Sequence, residues 1–474
     1  MTTTIDTLLA AVAEGMGRTR NRAEPLYEQL AQALAEGIRS GALVTGERLP
    51  PHRDLASRLN INITTVTKAM ALLQEAGLVE SRPGRGTSVK PLLHQPGAQF
   101  QSAPNRDPGR VDLSINRPAT DSYSQELARL LPELSRDLRF GEVPDYHPSE
   151  GPAWAREAAA SWLRQHGVAA EASQLLIAEG AQHGIACTLR AIAERGDTVL
   201  ADAITYQGIN ALCRTLGLKL VGVDGDALGM LPAALEQACV KHAAKVLFLV
   251  PSLHNPTAVT VSAERRHALA EVADRHRLLL IEDDVYRPLL DQSPLPFAAL
   301  LPERTIYITA LSKCIAPGLR MGFVMAPPRL VGDISATLRI DCWSVSPLSA
   351  LIATRFIESG KALEMVAVQR EELRARQDLL RQAFGDLQVQ AGATSPHAWL
   401  HLPEPWRAST FALTCQEQGI GLLPGAAFTL RQEHPPHAVR INLSAARSRD
   451  DLQRALETIA RLARQGHLHM HDTV

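Results

Sequence analysis

The first regular feature of the chain is a run of apolar residues at helical spacing. Leu26, Leu30, Leu34 and Ile38 recur every four residues, which predicts an amphipathic helix from Pro25 to Ser40. Two shorter patterns predict helices over 52–59 and 63–76, with Asn62 as the N-cap of the latter. Residues 78–90 have the pattern of two short strands joined at 83–86. Three helices followed by a hairpin predict a winged helix-turn-helix.

Farther along, short apolar runs alternate with segments of helical spacing. The runs predict buried strands at 175–178, 198–201, 219–223, 246–250, 278–282, 305–309 and 322–325. Intervening segments such as 183–193 and 263–276 predict helices, and a long helix is predicted over 349–381. This alternation is typical of an α/β unit with a mostly parallel sheet, here followed by a smaller αβ piece.

The breaks between these patterns predict the domain boundaries. Residues 1–22 are expected to form a tail or a short helix, and 23–90 the winged helix-turn-helix domain. Residues 91–110 contain Pro and Gly without periodicity, which indicates a linker. Residues 111–474 then form the large C-terminal domain.

Composition narrows the possible locations and partners. The 474 residues include 45% hydrophobic side chains and carry a formal net charge of −1, so neither DNA nor acidic ligands are excluded. The chain lacks an apolar run of the ~18 residues that a membrane helix needs, and its start lacks the basic residues of a secretory signal. Six scattered cysteines without a CxxC pair predict neither a metal site nor a disulfide framework, and favour the cytoplasm.

Polar residues on the third helix and in the hairpin have the chemistry of DNA contacts. Thr64, Thr65 and Lys68 are predicted on the outer face of the helix that would enter the major groove, and Arg82 and Arg85 on the wing. Residues 45–90 contain seven Lys and Arg against four Asp and Glu, a local balance of +3. Winged helices also dock proteins, but hydroxyls and cations on the outer face favour double-stranded DNA.

The same region resembles the GntR family of bacterial regulators. The motifs that carry the resemblance are Gly46-Glu-Arg48-Leu49-Pro50, Arg53-Asp54-Leu55-Ala56, Thr64-Thr65-Val66, Gly77-Leu78 and Gly84-Arg85-Gly86-Thr87. The resemblance implies that Arg53, Thr65, Lys68 and the wing contact DNA. Two residues depart from the family pattern, because Pro51 stands where a capping Ser is usual and Ile63 where an Arg is common.

The stretch 305–324 suggests a covalent ligand. A buried strand ends in Ser312-Lys313, and Arg320 follows a turn containing Pro317-Gly318. Burial lowers the pKa of a lysine, so that neutral amine is available to attack a carbonyl, while the guanidinium fork suits a phosphate. A ligand with an aldehyde and a phosphate would use both, and pyridoxal 5'-phosphate (PLP) is such a ligand. The alternative is a surface Lys with a structural Arg.

Polar residues at other strand ends complete this picture, because ligands of such sheets gather at the carboxyl ends of the strands. Gly180-Ala181-Gln182 opens a helix whose free N–H groups suit a phosphate. Tyr206 could stack on an aromatic ring or pack in the core, and Asn255-Pro256 makes a rigid turn. The acids 282–284 end a buried strand, where one could pair with a pyridine nitrogen; a metal site is the alternative, but suitably spaced His residues are lacking.

Residues 111–465 resemble the fold-type-I PLP enzymes of the aspartate aminotransferase group, because these motifs occur in the same order. The resemblance implies an internal aldimine at Lys313, a pairing of Asp283 with the pyridine nitrogen, and stacking of Tyr206 on the ring. It also implies ring contacts from Asn255 and Tyr286. The phosphate would be held by Ala181, Gln182, Ser312 and Arg320, with Tyr146 reaching the phosphate of a partner subunit, and Arg440 would grip a substrate or effector carboxylate. Ala310 departs from the pattern, since a hydroxyl residue is common three positions before the lysine.

Together, the two regions resemble the MocR-like transcription regulators, which fuse a GntR head to an aminotransferase-like body. The resemblance implies a homodimeric, PLP-dependent DNA-binding regulator that senses PLP or an amine or amino acid through Lys313, and favours a sensor over an enzyme. An active aminotransferase with an autoregulatory DNA-binding head is the alternative, and a degenerate dimerisation scaffold is a third.

Overall fold

The protein divides into two compact units, the head (residues 1–99) and the body (residues 100–474). The structure is a computed structural model and describes residues 25–39, 43, 47–75, 78–82, 86–89, 110–120, 122–430 and 435–465. The predicted N-terminal segment 1–22, the linker residues 91–109 and Arg85 lie outside the described residues. Among the helices described, none combines the length and apolar composition needed to cross a bilayer.

The head contains the predicted three helices and a two-stranded hairpin. These elements are α1 (Leu26–Arg39), α2 (His52–Leu59), α3 (Ile63–Glu75), β1 (Val79–Arg82) and β2 (Gly86–Val89). The apolar positions of the helices meet in one core, where Leu30, Leu34 and Ile38 are at most 1% exposed. Asn62 caps α3 as predicted, since its side chain accepts a hydrogen bond from the N–H of Thr64 at 2.9 Å. This core fixes the outward face of α3.

The body is built on a seven-stranded sheet. Its strands are β4 (Leu175–Glu179), β5 (Thr198–Asp202), β6 (Lys219–Val223), β9 (Val246–Leu249), β10 (Leu279–Asp283), β11 (Thr305–Ala310) and β12 (Met321–Met325). The strand order is β4-β12-β11-β10-β9-β5-β6, and β12 alone of these runs antiparallel to its neighbours. The predicted mostly parallel sheet is therefore confirmed.

Helices cover both faces of this sheet, which explains why its strands are continuously apolar. Alternate residues of β9 belong to different cores, Val246 and Phe248 to one and Leu247 and Leu249 to the other. The helices of this part of the body are α4 (Ser122–Leu134), α5 (Ala153–Gln165), α6 (Ala181–Ile192), α7 (Gln207–Leu216), α8 (Pro232–His242), α9 (Ala263–Arg275), α10 (Phe297–Leu300), α11 (Pro328–Cys342) and α12 (Pro347–Glu358). A short hairpin, β7 (Gly225–Asp226) and β8 (Gly229–Met230), follows β6.

A smaller αβ portion completes the body. It contains α13 (Lys361–Phe384), α14 (Ala408–Glu417) and α15 (Arg449–Gln465). Its four-stranded sheet has the order β13 (Val389–Gln390), β14 (His397–His401), β17 (Ala438–Asn442), β16 (Leu423–Pro424). The early strand β3 (Val111–Asp112) pairs with β15 (Ile420–Gly421), so the start of the body is tied to its end.

One predicted element is wrong. The sequence pattern predicts a single helix over 349–381, but the structure has two helices, α12 and α13, separated at Ser359-Gly360. Gly360 adopts φ 76°, a left-handed conformation that ends a helix and that glycine adopts without steric cost. Apolar spacing resumes beyond the break, which concealed it in the sequence.

Candidate functional site

Lys313 and Asp283 lie at the ends of the neighbouring parallel strands β11 and β10. Lys313 ends a short 3-10 turn (Leu311–Lys313), and its Nζ donates to the backbone oxygen of Asn116 at 3.1 Å. Burial lowers the pKa of the Lys313 amine to about 8; the positive charge of Arg440 acts in the same direction, whereas the carboxylate of Asp283 opposes it. A sizeable fraction of neutral, nucleophilic amine is therefore present near pH 8.

The three acids of the 282–284 triplet differ in their partners: those of Glu282 and Asp284 include groups of the surrounding core, whereas Asp283 accepts from the backbone N–H of Val285. Glu282 accepts from the N–H groups of Phe297 and Ala298 at 3.0 and 2.9 Å, and Asp284 accepts from Arg287 at 3.3 Å. Asp283 is 5% exposed, and its Oδ1 is buried without a hydrogen-bond partner. Burial, with help from Asp284, raises its pKa to about 7, while Lys313 lowers it. An unpaired buried acceptor is costly and indicates a missing donor.

The start of α6 and Arg320 form a cradle with the properties of an anion site. Gly180, with φ 84°, precedes the first residue of α6, where the N–H groups of the first turn have no partner within the helix. Arg320 has φ 54° and turns back, so that its Nη2 donates to the backbone oxygen of Glu179 at 2.7 Å. A Cβ on Gly180 would lie 2.9 Å from that Nη2, and one on Gly322 would lie 2.5 Å from the carbonyl carbon of Gly180. The glycines thus permit this close approach.

Ala181 and Ser312 each adjoin a residue or element of the predicted site in the sequence. Ala181 is the first residue of α6, and Ser312, 9% exposed, stands beside Lys313 in the 3-10 turn. Gln182 is linked to Tyr206, whose hydroxyl donates to its Oε1 at 2.9 Å. Burial raises the pKa of Tyr206, and the negative charge of Asp283 adds to the effect, so the phenol remains protonated.

Asn255 and Tyr286 are both buried and both held by polar partners. Asn255 Oδ1 accepts from Arg440 Nη1 at 2.8 Å, and the hydroxyl of Tyr286 accepts from Nδ2 of Asn116. Burial raises the pKa of Tyr286, which keeps its hydroxyl neutral and able to donate. The ring of Tyr286 also packs edge-on against His397, with 5.5 Å between centroids.

Arg440 is a buried cation without a carboxylate partner among its hydrogen bonds. It lies on β17, is 4% exposed, and donates to Asn255 and to the backbone oxygen of Ser114. Its guanidinium carbon lies 4.9 Å from the centroid of the Phe428 ring, and its Nε is buried without a partner. Burial lowers its pKa to about 10. An anionic ligand would compensate this buried charge.

The sequence analysis missed Asn116, Ser114 and His397. Asn116 stands 197 residues before Lys313 and 170 before Tyr286, yet contacts both. It lies in the segment that follows β3, outside any periodic pattern or motif, so the sequence contains no local signal for it. His397 begins β14, and its Nε2 lies 3.0 Å from the backbone oxygen of His254.

Tyr146 is not part of this buried group. Its side chain is 87% exposed, and its ring packs on Trp343 with 5.5 Å between centroids. Within one chain, the structure therefore does not bring Tyr146 to Lys313.

No metal site was predicted, and the described residues contain one trio of potential ligand atoms within 4.8 Å of one another. The trio is His183, Cys187 and Asp341. Asp341 is paired with Arg190 at 2.7 Å, and burial raises the pKa of Cys187 to about 12. A neutral thiol beside an engaged carboxylate is a poor ligand set.

Of the four predicted DNA residues whose side chains the structure describes, the head presents three to solvent. Arg53, Thr64 and Lys68 are exposed and Thr65 is half-buried, whereas Arg82 is described in its backbone alone. The ammonium of Lys68 lies 5.4 Å from the centroid of the Tyr27 ring. Ile63, the departure from the family pattern, is 40% exposed at the start of α3.

Comparison with known proteins matches the two units separately. Residues 26–89 match the family described as "Bacterial regulatory proteins, gntR family", and residues 108–459 match "Aminotransferase class I and II". Similar curated proteins contain both parts. An uncharacterized HTH-type transcriptional regulator of Bacillus subtilis, YdeF, is 29% identical over 93% of this chain and 94% of its own length. The vitamin B6 salvage pathway transcriptional repressor PtsJ of Salmonella typhimurium is 30% identical over 88% of this chain and 94% of its own.

The body also has the fold of solved aminotransferases. An archaeal alanine:glyoxylate aminotransferase superposes with a TM-score of 0.70 at 22% identity, covering 75% of this chain and 91% of that one. This likeness bears on the fold alone.

Proposed function

From its membership of the aminotransferase class I and II family, we propose that the body of the chain binds PLP and senses that cofactor or a small amine or amino acid. The chain also has the gntR-type head of the MocR-like transcription regulators. The head binds operator DNA, which also makes the cytoplasm the expected location. The Salmonella repressor of vitamin B6 salvage supports a B6-related signal, because both of its parts align with this chain.

One observation carries the proposal: the unpaired Oδ1 of Asp283 in the same electrostatic neighbourhood as Lys313. A protonated pyridine nitrogen is the donor that Asp283 lacks, and the anion cradle at α6 and Arg320 suits a phosphate. The residues therefore fit PLP. When bound, the cofactor supplies an aldehyde for amines and an electron-withdrawing ring.

We assign a role to each remaining residue of the predicted site. Lys313 supplies the neutral amine, Tyr206 supplies an aromatic face whose hydroxyl is anchored on Gln182, and Asn255 and Tyr286 orient the ring oxygen. Ala181, Gln182, Ser312 and Arg320 hold the phosphate. Arg440 accepts the carboxylate of an effector, because its buried charge lacks an anionic partner.

The regulatory step requires that the effector distinguish two conformations of the body. An effector carboxylate at Arg440 would compete with Asn255 and the backbone of Ser114 for the guanidinium. Because Ser114 and Asn116 lie in one short segment after β3, such competition would move the first residues of the body. That segment follows the linker to the head, which gives the signal a covalent route.

The first test compares Lys313→Ala with Lys219→Ala, a control at an exposed lysine of β6. We expect the wild type and the control to retain a visible absorbance band after incubation with PLP and gel filtration, and Lys313→Ala to lose it. We further expect PLP or the effector to change operator binding by the wild type and by Lys219→Ala, but not by Lys313→Ala. The DNA tested is the region upstream of this gene and of its neighbouring genes. An unchanged DNA response in Lys313→Ala would contradict sensing through this residue.

We propose that the protein is a homodimer in which Tyr146 completes the phosphate site of the partner subunit. Leu138, Tyr146 and Ile340 are apolar or aromatic and 96, 87 and 85% exposed, a pattern typical of interfaces. Mixing Tyr146→Phe with Lys313→Ala protomers tests the assignment. If Tyr146 acts across the interface, mixed dimers contain one site with both defects and one intact site, so tight cofactor binding is partly restored. Absence of restoration in confirmed mixed dimers would place Tyr146 outside the site.

An active aminotransferase remains the second candidate, because the body combines a partly neutral Lys313 with a buried Asp283 and Arg440. Purified protein mixed with amino donors and α-keto acids decides between them. Turnover of about 1 per second or more would favour the enzyme, whereas turnover orders of magnitude slower, with DNA binding still responsive, favours the sensor.

A further inference from the structure

A cavity lies at the carboxyl ends of β5, β6 and β9, and residues of the β7–β8 hairpin form part of its lining. Its volume is about 200 Å³, and its lining includes Asp202 and His254, which lie 3.7 Å apart and are called its polar end below. Apolar side chains such as Val223, Met230 and Phe297 form much of the rest. None of the residues assigned above to the cofactor or to the effector carboxylate lines it. The cavity is therefore separate from the site around Lys313.

The polar end of this cavity is incompletely satisfied. His254 is 6% exposed; its Nδ1 lies 2.8 Å from the hydroxyl of Thr257, but its Nε2 is buried without a hydrogen-bond partner. That Nε2 lies 3.7 Å from Oδ2 of Asp202, too far for a direct hydrogen bond. In the tautomer in which Nδ1–H donates to Thr257, Nε2 is an acceptor, and a ligand N–H group near both atoms would satisfy this nitrogen and approach the carboxylate.

The charge around the cavity favours a cation. Its lining includes the carboxylates of Asp202, Asp224 and Asp226 but no Lys or Arg. Two arginines contact lining residues: Arg265 pairs with Asp226 at 3.0 Å, and Arg266 donates to the backbone oxygens of Val261 and Pro251. Burial raises the pKa of Asp202 to about 7, opposed by a backbone hydrogen bond and not by a cation. Burial lowers the pKa of His254 to about 4, so the imidazole is neutral at pH 7. A bound ammonium would supply the missing positive charge.

We propose that this cavity is a second ligand site, which takes a small protonated amine with a short apolar body between Asp202 and His254. The volume is below that of drug-sized pockets and suits a ligand of up to roughly eight non-hydrogen atoms, since a cavity of ~150 Å³ holds benzene. The apolar walls take the carbon chain, and the ammonium lies at the polar end. The site is independent of cofactor chemistry and goes beyond the function proposed above.

The site is placed to influence the residues assigned to the cofactor. The backbone oxygen of His254 lies 3.0 Å from Nε2 of His397, whose ring packs against Tyr286. Asn255, the partner of Arg440, follows His254 in the chain. A ligand that shifts His254 therefore acts on both sides of the proposed ring pocket.

The probe must not react with an aldehyde, so that binding at Lys313 is avoided. N,N-dimethylethylamine is suitable because a tertiary amine cannot form an imine but retains one N–H when protonated. The uncharged control is tert-amyl alcohol, which has a similar size. Binding to the full-length, PLP-loaded protein is measured by ligand-observed NMR at pH 7.5. We expect the amine to bind at least tenfold more tightly than the alcohol.

Three variants decide where the probe binds. Asp202→Asn removes the charge without changing the shape and is expected to weaken binding at least tenfold. Asp274→Asn, a control at an exposed carboxylate paired with Arg304, is expected to bind as the wild type does. Lys313→Ala, measured with excess free PLP so that the cofactor site stays occupied, should also bind the probe, which separates this proposal from the cofactor assignment.

Equal affinity of Asp202→Asn and the wild type, or loss of binding in Lys313→Ala, would overturn the proposal. Absence of binding to the wild type at millimolar concentration would do the same. If Asp202→Asn does not fold, amine-dependent chemical-shift changes of the His254 ring in the wild type replace it: a change supports the site, and none contradicts it.

Discussion

Two charged side chains assigned to DNA in the head lie in solvent, whereas two charged side chains of the predicted site in the body, Asp283 and Arg440, are buried; Arg320 and Tyr146 of that site are exposed. Arg53 and Lys68 are exposed, but Asp283 and Arg440 are 5 and 4% exposed. Exposed charges act through a screened field and can be removed with little effect on the fold. Buried charges depress the stability of the cofactor-free protein until a ligand compensates them. The two regions should therefore respond differently to substitution, pH and salt.

The largest expected difference concerns Asp283 in the cofactor-free protein. Its folded pKa is raised to about 7 from an ordinary 3.8, so the folded state binds the proton more tightly than the unfolded state. Its contribution to stability is therefore fully present below pH 4 and is lost as pH rises through 7. We expect Asp283→Asn to unfold like the wild type near pH 4 and to be more stable by a few kcal/mol at pH 8.

Tryptophan fluorescence is a suitable measurement, because all five tryptophans lie in the body. Denaturant titrations at several pH values would follow that unit alone. Asp274→Asn, at an exposed carboxylate, serves as the control and should change the free energy of unfolding by less than about 1 kcal/mol. If the difference in the free energy of unfolding between Asp283→Asn and the wild type does not depend on pH, then ionised Asp283 does not destabilise the cofactor-free protein. With PLP bound, the wild type should be more stable than Asp283→Asn, since the neutral amide of the variant cannot pair as an anion with the pyridine nitrogen.

The next largest expected effect is a loss of about tenfold in operator affinity after a substitution in the head. Arg53→Ala should weaken operator binding by about 1–3 kcal/mol and reduce the slope of log affinity against log salt by about 1 if the residue contacts a phosphate. Arg58→Ala is the matched control on α2, because Arg58 is held by Asp54 at 2.9 Å. Neither variant should alter cofactor binding. An unchanged salt slope in Arg53→Ala would remove this arginine from the phosphate contacts.

The two regions also differ in how much of them is predictable from sequence. In the head, apolar spacing locates each described helix, and Asn62 also marks the start of α3, because the core forms from neighbouring segments. In the body, strand ends are predictable since a buried apolar run must stop where a polar residue faces a cavity, as at Asp283 and Lys313. Asn116 and Arg440 are joined to the site by contacts between distant segments, so Asn116 had no signal and Arg440 was found through family resemblance alone. The break at Gly360 was missed because apolar spacing resumes after it.

The smallest expected effect concerns Lys68. Testing it distinguishes an exposed charge that acts on DNA from one that stabilises the fold of the head. Its ammonium lies over the Tyr27 ring at 5.4 Å, and an exposed cation–π contact of this kind is worth about 0.5–1 kcal/mol. If Tyr27 merely holds the lysine towards DNA, Tyr27→Leu and Lys68→Gln each weaken operator binding a few-fold, and the double variant is no weaker than Lys68→Gln. If the contact stabilises the head alone, each variant lowers its free energy of unfolding and leaves operator affinity unchanged. The two roles are separated by a double-mutant cycle in which both operator affinity and the free energy of unfolding are measured. Coupling between Tyr27 and Lys68 in operator affinity indicates the first role, and coupling in the free energy of unfolding alone indicates the second.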